Sequence, residues 1–231
     1  MAADYRQIAA AFEDTGLRLR GGFVLAAGEQ TAGARSIVLI GNAGGEFWPA
    51  FVGGRREEAD PLDGWTRRVT DPLAAQLGAT AVYPNDQPYH PFQTWARRAE
   101  PVHFSPLGIL IHPEFGLWHA YRAALLFPIE IDGVPAPGVA ASPCDTCAEK
   151  PCLSACPVAA FEGKAYNVAV CTGHLRAGEN PDCAGLGCRA RNACPVAADR
   201  RYPPEQIRFH MAAFVKSRGG PWPRPKHAVS D

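Results

Sequence analysis

The chain has 231 residues, of which 47% are hydrophobic and 20% charged, as expected for a globular protein with one large or two small domains. Its 23 basic and 23 acidic residues cancel, and this balance gives no indication of a nucleic acid or an anionic membrane as partner. The N-terminus resembles no signal peptide and no segment approaches the roughly 18 apolar residues of a membrane span, so we expect a cytoplasmic protein.

Residues 1–135 alternate between helical and extended patterns, which predicts an α+β domain. In chain order the predicted elements are a helix at 4–15, strands at 17–26 and 36–40, helices at 46–51 and 60–77, a strand at 80–84, a helix at 88–98, and strands at 107–111 and 123–131. Gly16 ends the first helix, Gly21 and Gly22 mark a bulge in the first strand, and Pro72 disturbs the third helix.

Two features of this part have alternative interpretations. The glycine-rich run 41–45 follows a strand and is either a plain loop or a phosphate-binding turn. It lacks the full G-x-G-x-x-G spacing, which favours the plain loop. The aromatic side chains of 88–98 either stack on a planar ligand or belong to the core, and we favour the core. These side chains are Tyr89, His90, Phe92 and Trp95.

All eight cysteines lie within the next 51 residues. They are Cys144, Cys147, Cys152, Cys156, Cys171, Cys183, Cys188 and Cys194. The first four have the spacing C-x2-C-x4-C-x3-C-P, two residues longer than the bacterial ferredoxin run C-x2-C-x2-C-x3-C-P. Since four thiolates bind one [4Fe–4S] cluster, eight cysteines predict two clusters. The repeat of the sequence ACPVAA at 155–160 and 193–198 indicates two related half-motifs.

Two other uses of eight cysteines remain. A disulfide framework is typical of small secreted domains, whereas this chain is long and has no cysteine in its first 143 residues. Two zinc sites of four thiolates each would use paired C-x2-C knuckles, and only one C-x2-C occurs. The spacing favours iron–sulfur clusters over zinc, and zinc over disulfides.

Three segments follow from these patterns. Residues 1–135 form the first domain, residues 136–202 a two-cluster module after a proline-rich linker, and residues 203–231 a C-terminal helix with an extended tail.

The stretch 108–122 resembles a segment of the cblC-type cobalamin-processing proteins. In that family the pattern is close to G-x-x-I-H-P-x-F-G-G-W-F-A-x-R, and Leu117 here replaces the second glycine. The helix start Asp60-Pro61-Leu62-Asp63 is also similar to that family, and the resemblance covers about residues 15–135. It implies a fold related to the flavin nitroreductases and a bound corrinoid. The residues that it places at the cofactor are His112, Phe115, Gly116, Trp118 and Arg122.

The order of a cblC-like domain and eight cysteines resembles epoxyqueuosine reductases and reductive dehalogenases. Those proteins join a cobalamin domain to a ferredoxin module, and the segment after Cys171 is similar to theirs. The resemblance implies that Cys144, Cys147, Cys152 and Cys194 bind one cluster. It implies that Cys156, Cys171, Cys183 and Cys188 bind the other. The last cysteines depart from the reductase spacing, C-x2-C-x3-C-P, and the reductases' substrate-binding and proton-donor motifs are not found.

From the residues alone, each pocket candidate also has a structural interpretation. A histidine at a strand end, such as His112, usually satisfies local hydrogen bonds. Phe115 and Trp118 suit a core. Arg122 binds either an anionic ligand or a carboxylate such as Glu130.

The expected function is electron transfer through two [4Fe–4S] clusters to a cofactor or substrate, with cobalamin ahead of flavin as the cofactor. The alternatives are a non-catalytic electron carrier with a docking domain and a corrinoid-trafficking protein. The expected partners are an electron-donor protein and a corrinoid or other small molecule, with no nucleic acid. Whether the protein is an enzyme, and its oligomeric state, stay open.

Overall fold

The computed structural model describes residues 4–29, 31–161, 166–177 and 182–218, and the contacts between them form two compact units. The sheet unit comprises the described residues of Met1–His103 and His119–Ala141. The cysteine unit comprises those of Phe104–Trp118 and Ser142–Asp231. The predicted tail beyond residue 218 lies outside the described residues.

Helices and strands alternate in the first half of the chain, and short helices predominate in the second. The helices are α1 (Tyr5–Phe12), α2 (Trp48–Gly54), α3 (Pro61–Gln76), α4 (Phe92–Ala99), α5 (Pro151–Ser154), α6 (Val168–Arg176), α7 (Arg189–Asn192) and α8 (Pro204–Ser217). The strands are β1 (Arg18–Val24), β2 (Ser36–Ala43), β3 (Thr80–Val82), β4 (His103–Phe104), β5 (Leu110–Ile111) and β6 (His119–Phe127).

The sheet unit is built on four antiparallel strands in the order β1-β2-β6-β3. All eight residues of β2 are buried, which explains the apolar run that predicted this strand. The predicted bulge is confirmed, because the register of β1 against β2 shifts between Leu19 and Gly22. The prediction of mixed helix and sheet is thus confirmed at the level of the α+β class.

The glycine-rich run at 41–45 was predicted to be a loop, and this is wrong for its first three residues. β2 continues to Ala43, and Gly41 pairs with Tyr121 of β6. A Cβ on Gly41 would lie 2.0 Å from the carbonyl oxygen of Ala120, so glycine is required by the close approach of the neighbouring strand. The glycine therefore serves the sheet and gives no support to a phosphate-binding turn.

A buried ion pair connects β1 to the end of α4. Arg20, which is completely buried, donates to both carboxylate oxygens of Glu100, at 3.0 and 2.8 Å. It also donates to the carbonyl oxygen of Asn42 at 2.8 Å. The hydroxyl of Tyr121 donates to the same carboxylate at 2.6 Å. Such bidentate pairing compensates the cost of burying the charges.

Of the aromatic side chains at 88–98, two belong to the core as predicted and one does not. Phe92 and Trp95 of α4 are buried, and His90 stacks on Trp95 with ring centroids 5.6 Å apart. Tyr89 is 73% exposed, so the core prediction is wrong for it.

Residues 104–118 pack with the cysteine block, although the sequence assigned them to the first domain. The predicted strand at 107–111 is mostly a turn, in which Gly108 has a φ of +74° and the N–H of Ser105 donates to the carbonyl of Ile109. Leu107 and Leu117 are buried beside Cys152 and Cys194, in the apolar core of the cysteine unit. The compact units therefore divide the chain differently from the predicted boundaries at 135 and 202.

The C-terminal helix is confirmed as α8 and packs within the cysteine unit. Its Val215 is fully buried with Leu175 and Cys183, and Met211 and Phe214 pack against this cluster. None of the helices within the described ranges has the length and apolar character needed to cross a membrane.

Candidate metal centre

All eight cysteines are free thiols, and electrostatic interactions among them form two groups of four. The first thiol group is Cys144, Cys147, Cys152 and Cys194. The second thiol group is Cys156, Cys171, Cys183 and Cys188. The two groups coincide with the ligand sets implied by the resemblance, while their role as ligands stays a prediction. Among the described residues, no set of three or more His, Cys, Asp or Glu side chains is arranged to hold a metal ion.

Burial is the main influence on the thiols of both groups. It raises the pKa of six of them, and the charge of neighbouring thiolates within each group adds to the rise. The six are Cys144, Cys152, Cys171, Cys183, Cys188 and Cys194. Thiols of raised pKa keep their protons at neutral pH, so uptake of a metal releases protons.

The two ACPVAA repeats have the same backbone structure. Helices α5 and α7 contact each other, and each ends two residues before its Cys-Pro pair, at Cys156 and Cys194. The third residue after each of these cysteines, Ala159 or Ala197, has a φ of +51°. Two alanines in the same unfavourable conformation indicate that the half-motifs are structural repeats.

The backbone amides that follow the Cys-Pro pairs favour a charged sulfur. The amide of Ala160 donates to the sulfur of Cys156 at 3.3 Å. In the other half burial raises the pKa of Cys194, and the backbone amide of Val196 acts in the opposite direction. Proline after the cysteine fixes φ and has no N–H of its own, which leaves the following amides to the sulfur. This arrangement suits a thiolate that carries charge.

A cavity in the cysteine unit is lined by all four cysteines of the second thiol group. Phe161, His174 and Met211 also line it. The sequence assigned no task to His174, and its place in this lining follows from α6, which carries both His174 and Cys171. Cys171 and His174 are three residues apart, which places them on one face of a helix. This spacing is the signal in the sequence that could have identified His174.

Two hydroxyl residues lie near the thiols, and sequence reasoning missed both. Tyr166 stacks on Phe161, which lines this cavity, with ring centroids 4.7 Å apart. Ser142 accepts the backbone N–H of Cys144 at 3.3 Å. Burial, followed by the influence of Cys171, raises the pKa of Tyr166. No spacing rule identifies such residues, because the conformation of the neighbouring loops determines where their side chains lie.

His112 stabilises the turn that follows it. Its Nδ1 accepts the backbone N–H groups of Glu114 at 3.0 Å and Phe115 at 3.3 Å, which in the neutral ring places the proton on Nε2. The ring stacks on Phe115, with centroids 4.5 Å apart. His112 and Phe115 are both buried. The structural interpretation of this histidine is thus confirmed, and its place beside a corrinoid stays a prediction.

Gly116 has a packing role in the cysteine unit. Its N–H and C=O both pair with His112 at 2.9 Å, and its φ is +56°. A Cβ at this position would lie 2.3 Å from the carbonyl oxygen of Val196, next to the second Cys-Pro turn. The glycine therefore allows the 112–118 loop to approach a half-motif closely.

Trp118 is 1% exposed and is also part of the cysteine unit. The guanidinium of Arg191 lies 4.4 Å from its ring centroid, and the edge of Tyr202 contacts it at 5.4 Å. Within the described part of the chain, Trp118 Nε1 and Arg191 Nε have no hydrogen-bond partner. The three residues line a cavity of about 40 Å³, enough for an ordered water. The core interpretation of Trp118 is confirmed.

Arg122 belongs to the sheet unit, unlike the other four predicted pocket residues. It is the extra residue of a bulge in β6, where Ile40 pairs with Ala123 and Gly41 with Tyr121. Its Nε donates to the side-chain oxygen of Asn42 at 3.0 Å. The suggested partner Glu130 is more than half exposed and pairs with Arg35 instead, so that suggestion is wrong.

The charge of Arg122 reaches a second carboxyl group of the sheet unit. Burial raises the pKa of Asp63, and the guanidinium of Arg122 partly opposes this rise. The bulge thus directs Arg122 towards polar groups of the same unit, a frequent use of bulges in functional proteins.

No protein-family model matches the sequence, and no curated protein matches it. Eight chains of known structure match the fold. Epoxyqueuosine reductase from Streptococcus thermophilus is 15% identical, with a TM-score of 0.54 over 87% of this chain and 69% of that one. The B12-trafficking protein CblC of C. elegans is 14% identical, with a TM-score of 0.52 over 91% of this chain and 92% of that one.

A third structure is an epoxyqueuosine reductase with a modified tRNA stem loop. It is 16% identical, with a TM-score of 0.50 over 97% of this chain and 71% of that one. Against two further epoxyqueuosine reductase structures, the chain spans about half the length, 52% of each. At these identities the likeness concerns the fold, and it agrees with the fold relationship implied by the 108–122 motif.

Proposed function

We propose that the protein is an iron–sulfur redox protein that binds two [4Fe–4S] clusters and transfers electrons to a cofactor or substrate. The two thiol groups support this proposal most directly, since each contains four cysteines, the number of sulfur ligands that one cluster needs. Free thiols and clusters both suit a reducing cytoplasm.

The thiol groups fit this cofactor by their chemistry and surroundings. Cys152, Cys183 and Cys194 are buried, and apolar side chains pack around them. When bound, clusters of this type supply one-electron transfer. The chain's own contribution is to exclude water, donate N–H groups to sulfur and orient the thiols. It does so through the Cys-Pro turns and the short helices α5 and α7.

The proposed electron acceptor is a cofactor or substrate, and cobalamin is the leading candidate. Two observations support cobalamin: the 108–122 motif and the likeness to a B12-trafficking protein. Flavin ranks second, and the proposed donor is a redox protein.

A second function, corrinoid trafficking, is favoured by the likeness to CblC, which spans most of both chains. In that case the thiol groups would serve to keep the cobalt reduced. A non-catalytic electron carrier is the third candidate, in which the sheet unit docks a larger protein and binds no cofactor.

Anaerobic reconstitution tests the clusters. The protein should become brown and contain about eight iron and eight sulfide ions per chain. A colourless protein with two zinc ions would contradict the proposal. The same measurement on protein purified in air without added iron serves as the control.

Double variants test the crossed ligand sets. In the proposed arrangement, Cys152→Ser with Cys194→Ser damages one cluster only, and about four iron atoms remain. Cys152→Ser with Cys156→Ser damages both, although these residues are close in sequence. Ligation in sequence order predicts the reverse, so iron analysis of the two double variants distinguishes the arrangements.

Titration with cobalamin separates the candidate functions. Binding at micromolar concentration with a base-off spectral change supports a corrinoid site, and chemical reduction of the clusters should then reduce the cobalt. Binding without reduction favours trafficking. If neither cobalamin nor flavin binds, the carrier is favoured.

Arg122→Met should weaken cobalamin binding if Arg122 belongs to the site, and Arg35→Met is the matched control on the exposed surface of the same unit.

A further inference from the structure

A small cavity in the cysteine unit is lined by Trp118 and by residues of α7 and α8. The indole of Trp118 is buried, and its Nε1 has no hydrogen-bond partner among the described residues. The same holds for the buried Nε of Arg191, which lines the cavity as well. A buried donor without an acceptor costs free energy, so two such donors at one cavity indicate an acceptor that binds there.

The guanidinium of Arg191 is positioned at the cavity by its neighbours. Its Nη2 donates to the backbone carbonyl of Leu117. It also lies 4.4 Å from the ring centroid of Trp118 and 4.9 Å from that of Tyr202. Such contacts with aromatic rings suit a planar guanidinium and do not use its N–H groups. The position of the group is thus determined, while its Nε stays available to another acceptor.

The charge of Arg191 has no counter-ion in the part of the chain that the structure describes. There, no Asp or Glu lines the cavity or forms an ion pair with this arginine. The nearby Arg189 lies 3.9 Å from Asp182, and Arg200 lies 3.7 Å from Asp199. A partly buried positive charge is stabilised more by an anion than by a neutral molecule, so the missing acceptor is best supplied by an anion.

The size of the cavity limits this anion to a few atoms. The volume is about 40 Å³, which gives room for about three water-sized groups. A carboxylate, with two oxygens and one carbon, has this size, and its oxygens accept from both guanidinium and indole N–H groups. Two other polar side chains of the lining have partners within the unit. The amide of Asn192 donates to the carbonyl of Leu186 at 2.8 Å, and the ring of His210 lies 3.5 Å from the amide of Gln206.

We propose that this cavity binds the carboxylate group of a small ligand, with Trp118 Nε1 and Arg191 Nε as donors. Formate fills the volume by itself. A longer acid fits if its chain extends to solvent beside Ile207 and His210, which line the cavity and are partly exposed. The inference goes beyond the proposed electron transfer and does not require iron, because neither donor belongs to a cysteine.

The test is a titration of the full-length protein with sodium formate, in which Tm is measured and sodium chloride keeps the ionic strength constant. Three non-hydrogen atoms bind with a Kd of about 0.5 mM at the tightest. With a Kd of about 1 mM, about 100 mM formate should raise Tm by roughly 5–10 °C, and the rise should saturate. The protein is used with whichever metal its thiols bind, so a failure of the iron–sulfur proposal leaves this test valid.

Two variants remove the donors separately. Trp118→Phe keeps an aromatic ring and removes the N–H, and Arg191→Lys keeps the positive charge and removes Nε. Each should weaken formate binding by about tenfold or more. Arg208→Met is the matched control, because it removes an exposed arginine of α8 that does not line the cavity. The quantity compared is the change in Tm caused by formate, so a variant of lower stability still reports on binding.

A saturable rise that both cavity variants lose and Arg208→Met keeps supports the inference. No saturable rise in the wild type, or an equal rise in the wild type and both cavity variants, overturns it, and the cavity then holds ordered water only. A series from formate to butyrate identifies the source of the carboxylate in a positive result. Affinity that falls with chain length indicates a free small acid, and constant affinity indicates the end of a larger ligand.

Discussion

Gly116→Ala tests whether this glycine serves packing, as its contacts indicate, or a cofactor, as the 108–122 resemblance implies. Alanine at a φ of +56° costs about 1–2 kcal/mol. Its Cβ would also lie 2.3 Å from the carbonyl oxygen of Val196, and relieving such overpacking costs about 1–3 kcal/mol more. The sum, about 2–5 kcal/mol, is a large part of the about 5–15 kcal/mol by which folded proteins are stable.

Calorimetry measures the effect as a change in Tm. For a chain of this size about 1 kcal/mol corresponds to about 2–4 °C, so Gly116→Ala should lower Tm by roughly 4–20 °C. Gly108→Ala is the matched control, since Gly108 has a φ of +74° and nothing within 4 Å of an added Cβ. It incurs the backbone cost of about 1–2 kcal/mol alone.

Equal losses of Tm in the two variants would refute the role of the Val196 contact. An unchanged Tm together with weakened cobalamin binding would return Gly116 to the cofactor site. The packing interpretation requires the larger loss at position 116, and it also requires that iron uptake falls, because Val196 follows the Cys194 turn.

Three other changes have expected results. Ala159→Gly and Ala197→Gly each relieve a φ of +51°, and each should raise the free energy of unfolding by up to about 1 kcal/mol, measured by urea denaturation. Arg20→Met leaves a buried carboxylate without its partner and should lower the free energy of unfolding by about 3–5 kcal/mol. Arg35→Met removes an exposed ion pair and should lower it by less than about 1 kcal/mol. Equal losses in the two variants would contradict this prediction. Burial tends to raise the pKa of Asp86, but the hydrogen bonds from its arginine partner and from a backbone amide outweigh this effect. The pKa of Asp86 in the folded protein is therefore lowered. Its contribution to stability is therefore present above pH about 4 and lost as pH falls through the lower folded pKa, and Asp86→Asn should flatten the urea midpoint against pH in that range.

Periodicity and spacing predicted the parts of the fold that depend on local sequence. β2 and α3 were predicted because the apolar run of β2 and the proline at the start of α3 are local features of the sequence. The turn at 107–111 was missed, because Leu107 and Leu117 are buried by contacts with Cys152 and Cys194 that lie far along the chain. An apolar run indicates burial but does not identify its conformation.

The same distinction holds for the candidate site. The grouping of the eight cysteines could be predicted from the sequence, since their number and spacing are local features, and their role as ligands stays a prediction. The place of Tyr166 beside the second thiol group was not found, because it depends on the stack with Phe161, which lines the cavity. The resemblance assigned Gly116 to a cofactor site. In the structure Gly116 lies against Val196, which is 80 residues further along the chain, and sequence patterns do not reveal such a contact.

The interleaving of the two thiol groups affects how the protein can be made. A ribosome releases the chain from its N-terminus, so Cys188 emerges before Cys194. The second thiol group is therefore complete first, although three members of the first group were synthesised earlier. Until the last Cys-Pro turn emerges, Cys144, Cys147 and Cys152 have no fourth sulfur. A nascent chain that stops before residue 194 would thus contain one complete group of four thiols and only three thiols of the other.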